Sequence, residues 1–182
     1  MQDVQTVHFS RIESPVGPLL LAATDEGLRY LMFDRGKEPR PRPNEVWIES
    51  PTALRAYEEQ LRAYFRGELR AFTCKLDLKG THFQKKCWSA LQRIPYGTTC
   101  SYRELAEQVG SPRAFRAVGQ ANHNNPVAII VPCHRVIGAN GSLTGYGGGM
   151  EVKEKLLRLE GAAAQGALAF SANTATKTKA NT

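Results

Sequence analysis

The stretch SYRELAEQVGSPRAFRAVGQAN, residues 101–122, decides how the fold is read. Its first half places Leu105, Ala106 and Val109 on one helical stripe, and Ser111-Pro112 interrupts the pattern after Gly110. A second helix is expected over residues 113–122. Two short helices joined by a tight turn have the spacing of a helix-turn-helix, whose second helix enters a DNA groove. Small residues crowd that second helix at Ala114, Ala117, Gly119 and Ala121, letting its backbone approach a surface closely. Arg113 and Arg116 project from it as candidate contacts to phosphates or to the duplex interior. The same pattern also suits a helix pair packed in a core, with alanines for close contact and arginines in solvent.

Outward from this pair, residues 81–93 carry Phe83, Cys87, Trp88 and Leu91 at helical spacing, and Ile94-Pro95-Tyr96-Gly97 stops them. On the other side, residues 127–131 form an unbroken apolar, largely β-branched run, expected as a buried strand. A glycine-rich loop over 138–149 separates it from a last helix over 151–160. The first third reads as strands over 7–13, 19–23 and 28–33, with turns at Pro15-Val16-Gly17 and Asp25-Glu26-Gly27. That is a three-stranded antiparallel meander. A proline-rich loop spans 35–44, and Ser50-Pro51 starts a helix as N-cap and first helical residue. Leu54, Tyr57, Leu61 and Tyr64-Phe65 continue that helix, and Gly67 ends it. Residues 71–78 suit a further strand, and Leu78-Lys79-Gly80 a linker. The expected organisation is therefore an N-terminal α/β domain over 1–79, a mostly helical domain over 80–163 and a flexible tail over 164–182.

With 182 residues, 42% hydrophobic and 23% charged, the chain has the composition of a globular protein able to bury a core. No apolar run approaches the ~20 residues needed to span a bilayer. The first residues lack the basic flank and apolar stretch of a signal peptide, so the expectation is a protein that stays in the cell, cytoplasmic and with the nucleoid if prokaryotic. The net charge of +7 favours a polyanionic partner but occurs equally in proteins that merely avoid self-association. Cys74, Cys87, Cys100 and Cys133 match neither a Cys-x-x-Cys pair nor a disulfide framework. The first three sit among apolar residues, where a free thiol behaves as a small hydrophobe.

Cys133 differs, because Val131-Pro132-Cys133-His134-Arg135-Val136 puts a thiol beside an imidazole at the end of the expected strand. An ordinary thiol has a pKa of ~8.5 and is only about 3% thiolate at pH 7. A paired histidine or a helix N-terminus can lower that pKa, each unit requiring ~1.4 kcal/mol. Neighbours along a chain often point apart, so a bridging water and a carboxylate behind the imidazole would complete the relay. An inert buried cysteine beside a histidine fits these residues equally well.

Taken together, several blocks resemble the methylated-DNA–protein-cysteine methyltransferases, the O6-alkylguanine-DNA alkyltransferases. They are Ile94-Pro95-Tyr96-Gly97, Ser101-Tyr102, Arg116-Ala117-Val118-Gly119, Asn125-Pro126, Pro132-Cys133-His134-Arg135-Val136, Gly145-Tyr146-Gly147-Gly148-Gly149 and Lys153-Glu154-Lys155-Leu156-Leu157. The match is strong over about 81–161 and only general before it. It implies an α+β fold: a small antiparallel sheet with one helix, ribonuclease H-like, then a winged helix-turn-helix. It implies irreversible, stoichiometric transfer of an alkyl group from O6-alkylguanine (also O4-alkylthymine) in flipped-out DNA to Cys133. A bound base must leave the stack to be reached.

The resemblance also implies roles. His134 would be the water-linked base, Glu160 its orienting carboxylate, and Asn125 the tie between the turn after the recognition helix and the active-site segment. Tyr102 would hydrogen-bond the purine as it leaves. Arg116 would fill the gap left by the flipped nucleotide. Arg113, Ala114, Ala117, Gln120 and Arg135 would join Tyr102 at the DNA, and Tyr146, Gly147, Gly148 and Val136 would line the base pocket. The partner implied is double-stranded DNA, met through its minor groove by a monomer that can cluster along it. Some members carry a structural zinc in the N-terminal domain. This chain has no cysteine before Cys74 and only His8 early, so neither a metal nor a cofactor is expected. Two rivals remain: a helix-turn-helix regulator without chemistry, which leaves Cys133-His134 unexplained, and a Cys-His hydrolase, which needs no DNA-reading helix.

Overall fold

The computed structural model describes residues 4–36 and 41–162. The expected tail over 164–182 and part of the proline-rich loop lie outside the described residues. The N-terminal half holds β1 (Gln5–Ile12), β2 (Leu19–Thr24), β3 (Gly27–Phe33), β4 (Glu45–Glu49) and α1 (Pro51–Phe65). The first three strands form the expected antiparallel meander. The sheet gains a fourth strand, β4, parallel to β1, giving the order β3-β2-β1-β4. Glu45–Glu49 is short, with three consecutive apolar residues between two glutamates, so no alternation announces a strand.

Helix α1 lays Leu54, Leu61 and Tyr64 onto the sheet, all fully buried. Ser50 stands at its N-cap without a side-chain cap bond, leaving Pro51 to set the helical φ. Residues 71–78 do not form the expected strand. Only Leu76 makes a bridge, to Leu28 of β3, because the backbone touches the sheet edge through Lys75 and Asp77 and then leaves it. Asp77 is held there by Arg29, which also binds Glu45, a buried ionic cluster joining β3, β4 and the segment between the halves.

The C-terminal half contains α2 (His82–Gln92), β5 (Cys100–Ser101), α3 (Tyr102–Gln108), α4 (Phe115–His123), β6 (Val136–Ile137) and α5 (Met150–Leu159). Thr81 with Gln84 and Ser101 with Glu104 form capping boxes that fix the starts of α2 and α3. The helix pair is therefore real, with slightly shorter helices than the sequence pattern indicated. Trp88 of α2 donates its indole N–H to the Ala121 carbonyl, packing α4 onto α2. One buried core runs through both halves, from Leu19, Leu31 and Leu61 to Trp88, Leu105, Val118 and Val131. Truncating such a residue to alanine costs about 2–5 kcal/mol.

The expected strand over 127–131 is absent. Leu31 of β3 donates to the Pro126 carbonyl and accepts from the Ala128 N–H, so the sheet edge captures two bonds of this segment and no more. The chain then turns tightly. Ile129 has φ 70°, a conformation costly for a β-branched residue, and Ile130 N bonds back to Ala128 O at 2.8 Å. A second such bond, Cys133 N to Val131 O at 2.8 Å, closes the next turn. Apolar β-branched composition signalled burial correctly, but burial in a strained double turn leaves the same signature as a strand.

Candidate active site and nucleic-acid interface

These two turns deliver Cys133 to the first position of a 3₁₀ turn, Cys133–Arg135, with the residue 8% exposed. Asn125 braces the whole device. Its Nδ2 donates to the Val131 carbonyl at 2.7 Å and to Cys133 Sγ at 3.1 Å, and its Oδ1 accepts from Val127 N at 3.0 Å. One amide thus fixes the loop and points a hydrogen at the sulfur.

His134 is wholly buried, and its Nε2 lies 2.8 Å from Glu160 Oε1. Glu160 caps the end of α5 and also accepts from the Tyr64 hydroxyl at 2.7 Å and from Arg135 at 2.8 and 3.0 Å. Burial alone would raise this carboxyl, but the bonds from His134 and Arg135 outweigh it and hold it down to about 2. An ionised carboxylate only accepts, so Nε2 carries the imidazole proton and Nδ1 keeps a lone pair. Nδ1 is buried and has no partner among the described residues. Gly97, at φ 77°, brings its N–H to 3.4 Å from Glu160 Oε2, and a Cβ there would sit 2.8 Å from the Glu160 carbonyl.

Burial pushes the Cys133 thiol up, against the lowering pull of the Asn125 amide and the Lys153 charge. It pulls the His134 imidazole down despite Glu160. The resting pair is a neutral thiol and a neutral imidazole with a free basic nitrogen, not the preformed thiolate of a lowered pKa. Lys153 is fully buried, and its ammonium donates to the Val136 carbonyl at 2.6 Å and the Thr144 carbonyl at 3.0 Å. Burial draws its pKa down to about 8, against a raising pull from Cys133.

The glycine loop closes over this centre. The Tyr146 ring meets Phe33 edge-on at 5.6 Å and His134 at 6.5 Å, and its buried hydroxyl has no partner among the described residues. Thr144 Oγ1 donates to the Tyr102 hydroxyl at 3.3 Å, linking the loop to the first turn of α3. Gly147 and Gly148 follow Tyr146 in the same loop, and the Val136 side chain, expected to line the base pocket, is fully buried. Among the described residues no cluster of His, Cys, Asp and Glu is grouped to hold a metal.

On α4, Val118, Ala121 and Asn122 face inward, while Arg116, Ala117 and Gln120 lie on the opposite, more open stripe, with Arg113 just before the helix. Ala114 is half-buried at the N-cap. The small residues therefore divide: Ala117 looks out, Ala121 packs inward, and Gly119 lies against the Tyr102 ring. Arg135, expected at the DNA, is a correction. It is 6% exposed, bonded to Glu160 and the Ile94 carbonyl, and placed over the Tyr96 ring, so its guanidinium is committed to partners in the interior. Sequence reasoning assigned no role to Tyr64 or Lys153. Tyr64 sits in an ordinary apolar helical stripe, and Lys153 reads as one surface lysine among several.

Two family models match the chain: the 6-O-methylguanine DNA methyltransferase ribonuclease-like domain over residues 7–78, and the DNA binding domain of the same name over 82–162. A methylated-DNA–protein-cysteine methyltransferase of Methanosarcina acetivorans is 54% identical over 155 residues, covering 85% of this chain and 99% of the relative. One from Mycolicibacterium paratuberculosis is also 54% identical over 155 residues, covering 85% and 92%. Among solved structures, the O6-methylguanine methyltransferase of Mycobacterium tuberculosis has a TM-score of 0.79 at 50% identity, covering 91% of this chain and 99% of that one. The structure of Mycobacterium tuberculosis OGT in complex with DNA gives 0.78 at 51%, covering 88% and 97%.

Proposed function

Because this chain belongs to the methylated-DNA–protein-cysteine methyltransferase family, we propose that it repairs DNA directly, moving the alkyl group of O6-alkylguanine onto Cys133. The observation that carries this reading is the pair of contacts Asn125–Cys133 and His134–Glu160, which converge from two other parts of the chain on one buried turn.

The chemistry grows out of that geometry. Through a bridging water, His134 Nδ1 takes the thiol proton, and Glu160 stabilises the imidazolium that forms. Sulfur attacks the O6-alkyl carbon, the S–C bond forms, and the C–O6 bond breaks. Guanine leaves as the neutral base by taking a proton at the ring from the Tyr102 hydroxyl, which hydrogen-bonds the developing charge, and the proton held by His134 returns through water to restore that hydroxyl. The S-alkyl thioether resists hydrolysis, so each chain acts once. The exposed stripe of α4 meets the minor groove, Arg113 and Gln120 contact the backbone, and Arg116 fills the space of the flipped nucleotide, whose extrusion costs a few kcal/mol in lost stacking. The protein acts as a monomer that can cluster along DNA.

With lesion duplex in excess, the amount repaired should plateau at one equivalent per chain and vanish in Cys133→Ser. Continued turnover would favour a Cys-His hydrolase, and binding without repair would favour a DNA-binding regulator.

A further inference from the structure

The loop that walls the pocket is gripped by the N-terminal half. At the end of β3 the Phe33 ring lies flush on Gly148: a Cβ built there would come 2.6 Å from the ring. The same ring meets Tyr146 edge-on at 5.6 Å, and two residues on, Arg35 Nη2 donates to the Gly147 carbonyl at 2.6 Å. The residue between them is fixed. Asp34 N bonds to Pro18 O, and its carboxylate accepts from Arg11 and from Gly36 N, all at 2.9 Å. Phe33 and Arg35 are thus presented from a rigid sheet end. By contrast, a Cβ at Gly145 or Gly147 would meet nothing within 4 Å. The wall is backed by the sheet at Gly148 and unobstructed at its neighbours.

We propose that Phe33 and Arg35 are specificity-determining positioning residues, a clasp that fixes the pocket wall and sets the size of O6-alkyl group the chain accepts. This rests on the repair reading above. The wall can retreat only if Gly148 moves into the space the Phe33 ring fills, or if the Gly147 carbonyl gives up its donor. With the clasp intact a methyl group fits best. Loosened, the pocket admits a benzyl group with a smaller penalty.

The test compares single-turnover rates on two duplexes of one sequence, carrying O6-methylguanine or O6-benzylguanine. The benzyl-to-methyl ratio should rise about threefold or more in Arg35→Ala, the scale of one lost hydrogen bond, and stay near the parental value in Arg35→Lys, which keeps a donor. Phe33→Leu should raise the ratio at least as much while retaining an apolar side chain in case Phe33→Ala fails to fold. Gly148→Ala should slow both reactions, and adding Phe33→Leu should restore part of the loss by making room for the methyl. Ratios unchanged in both Arg35→Ala and Phe33→Leu, with methyl transfer intact, overturn the clasp. A parent chain that transfers neither group overturns the repair reading instead.

Discussion

Replacing Glu160 with glutamine removes one charge and almost no volume, yet it strikes every bond the carboxylate makes. Glu160 accepts from Tyr64, His134 and Arg135 in a site closed to solvent. A glutamine accepts through one atom only and turns a donor toward Arg135, leaving a buried guanidinium with the Ile94 carbonyl but without its counter-charge. Breaking a buried ion pair from one side costs about 3–5 kcal/mol. The carboxyl held down to about 2, against an ordinary 4.5, carries roughly 3 kcal/mol of stability at neutral pH. Because the folded-state value is depressed, that contribution is complete above the ordinary value and drains away as pH falls through 4.5 toward 2. Urea unfolding of both proteins near pH 7 and near pH 3.5 should therefore show a gap that narrows by about 1–2 kcal/mol in acid. Alkyl transfer at neutral pH should fall about 100-fold, since the amide still orients Nε2 but cannot balance the imidazolium. A gap independent of pH, or one below about 1 kcal/mol at pH 7, would refute the reasoning.

Arg116→Ala should slow repair of duplex DNA far more than reaction with free O6-benzylguanine, and equal losses in the two rate assays would reject its role as a finger. The affinity of the parent chain for duplex should weaken steadily as salt rises, read by fluorescence anisotropy, whereas a salt-independent affinity would place the basic charge elsewhere. Asn125→Ala strips partners from Val131, Val127 and Cys133 at once and should lower stability by about 2–3 kcal/mol in denaturant titration, with a slower reaction at Cys133. Burial raises the Cys133 thiol and lowers the His134 imidazole, so the neutral pair is the reactive form and the single-turnover rate should stay level through neutral pH and fall only as acid protonates His134. A rate that climbs steadily from neutral toward alkaline pH would indicate reaction through a free thiolate without His134 as base.

Much of the fold and site is legible in the residues wherever the signals are local. The 105–106–109 stripe and the turn glycines mark their elements through patterns that repeat within a few residues, although the one N-cap read from the sequence, Ser50, makes no side-chain cap bond. The adjacency of Cys133 and His134 and the spacing to Asn125 and Glu160 are likewise visible as a family pattern. What stays hidden depends on contacts across the chain. The run at 127–131 reads as a strand until the edge of β3 is seen to take only two of its bonds. Arg135 and Lys153 are charged and look like surface residues until Glu160 and two backbone carbonyls are placed around them. Tyr64 reaches Glu160 across 96 positions, a separation that helical periodicity cannot report.

The central claim is that one sulfur of four accepts the alkyl group. Digesting the protein after reaction with an O6-methylguanine duplex and weighing its cysteine peptides tests this directly. A single methyl increment on the peptide containing Cys133, with Cys74, Cys87 and Cys100 unmodified, is the predicted result. A methyl on any of those three, or full repair with Cys133 unchanged, would contradict the account.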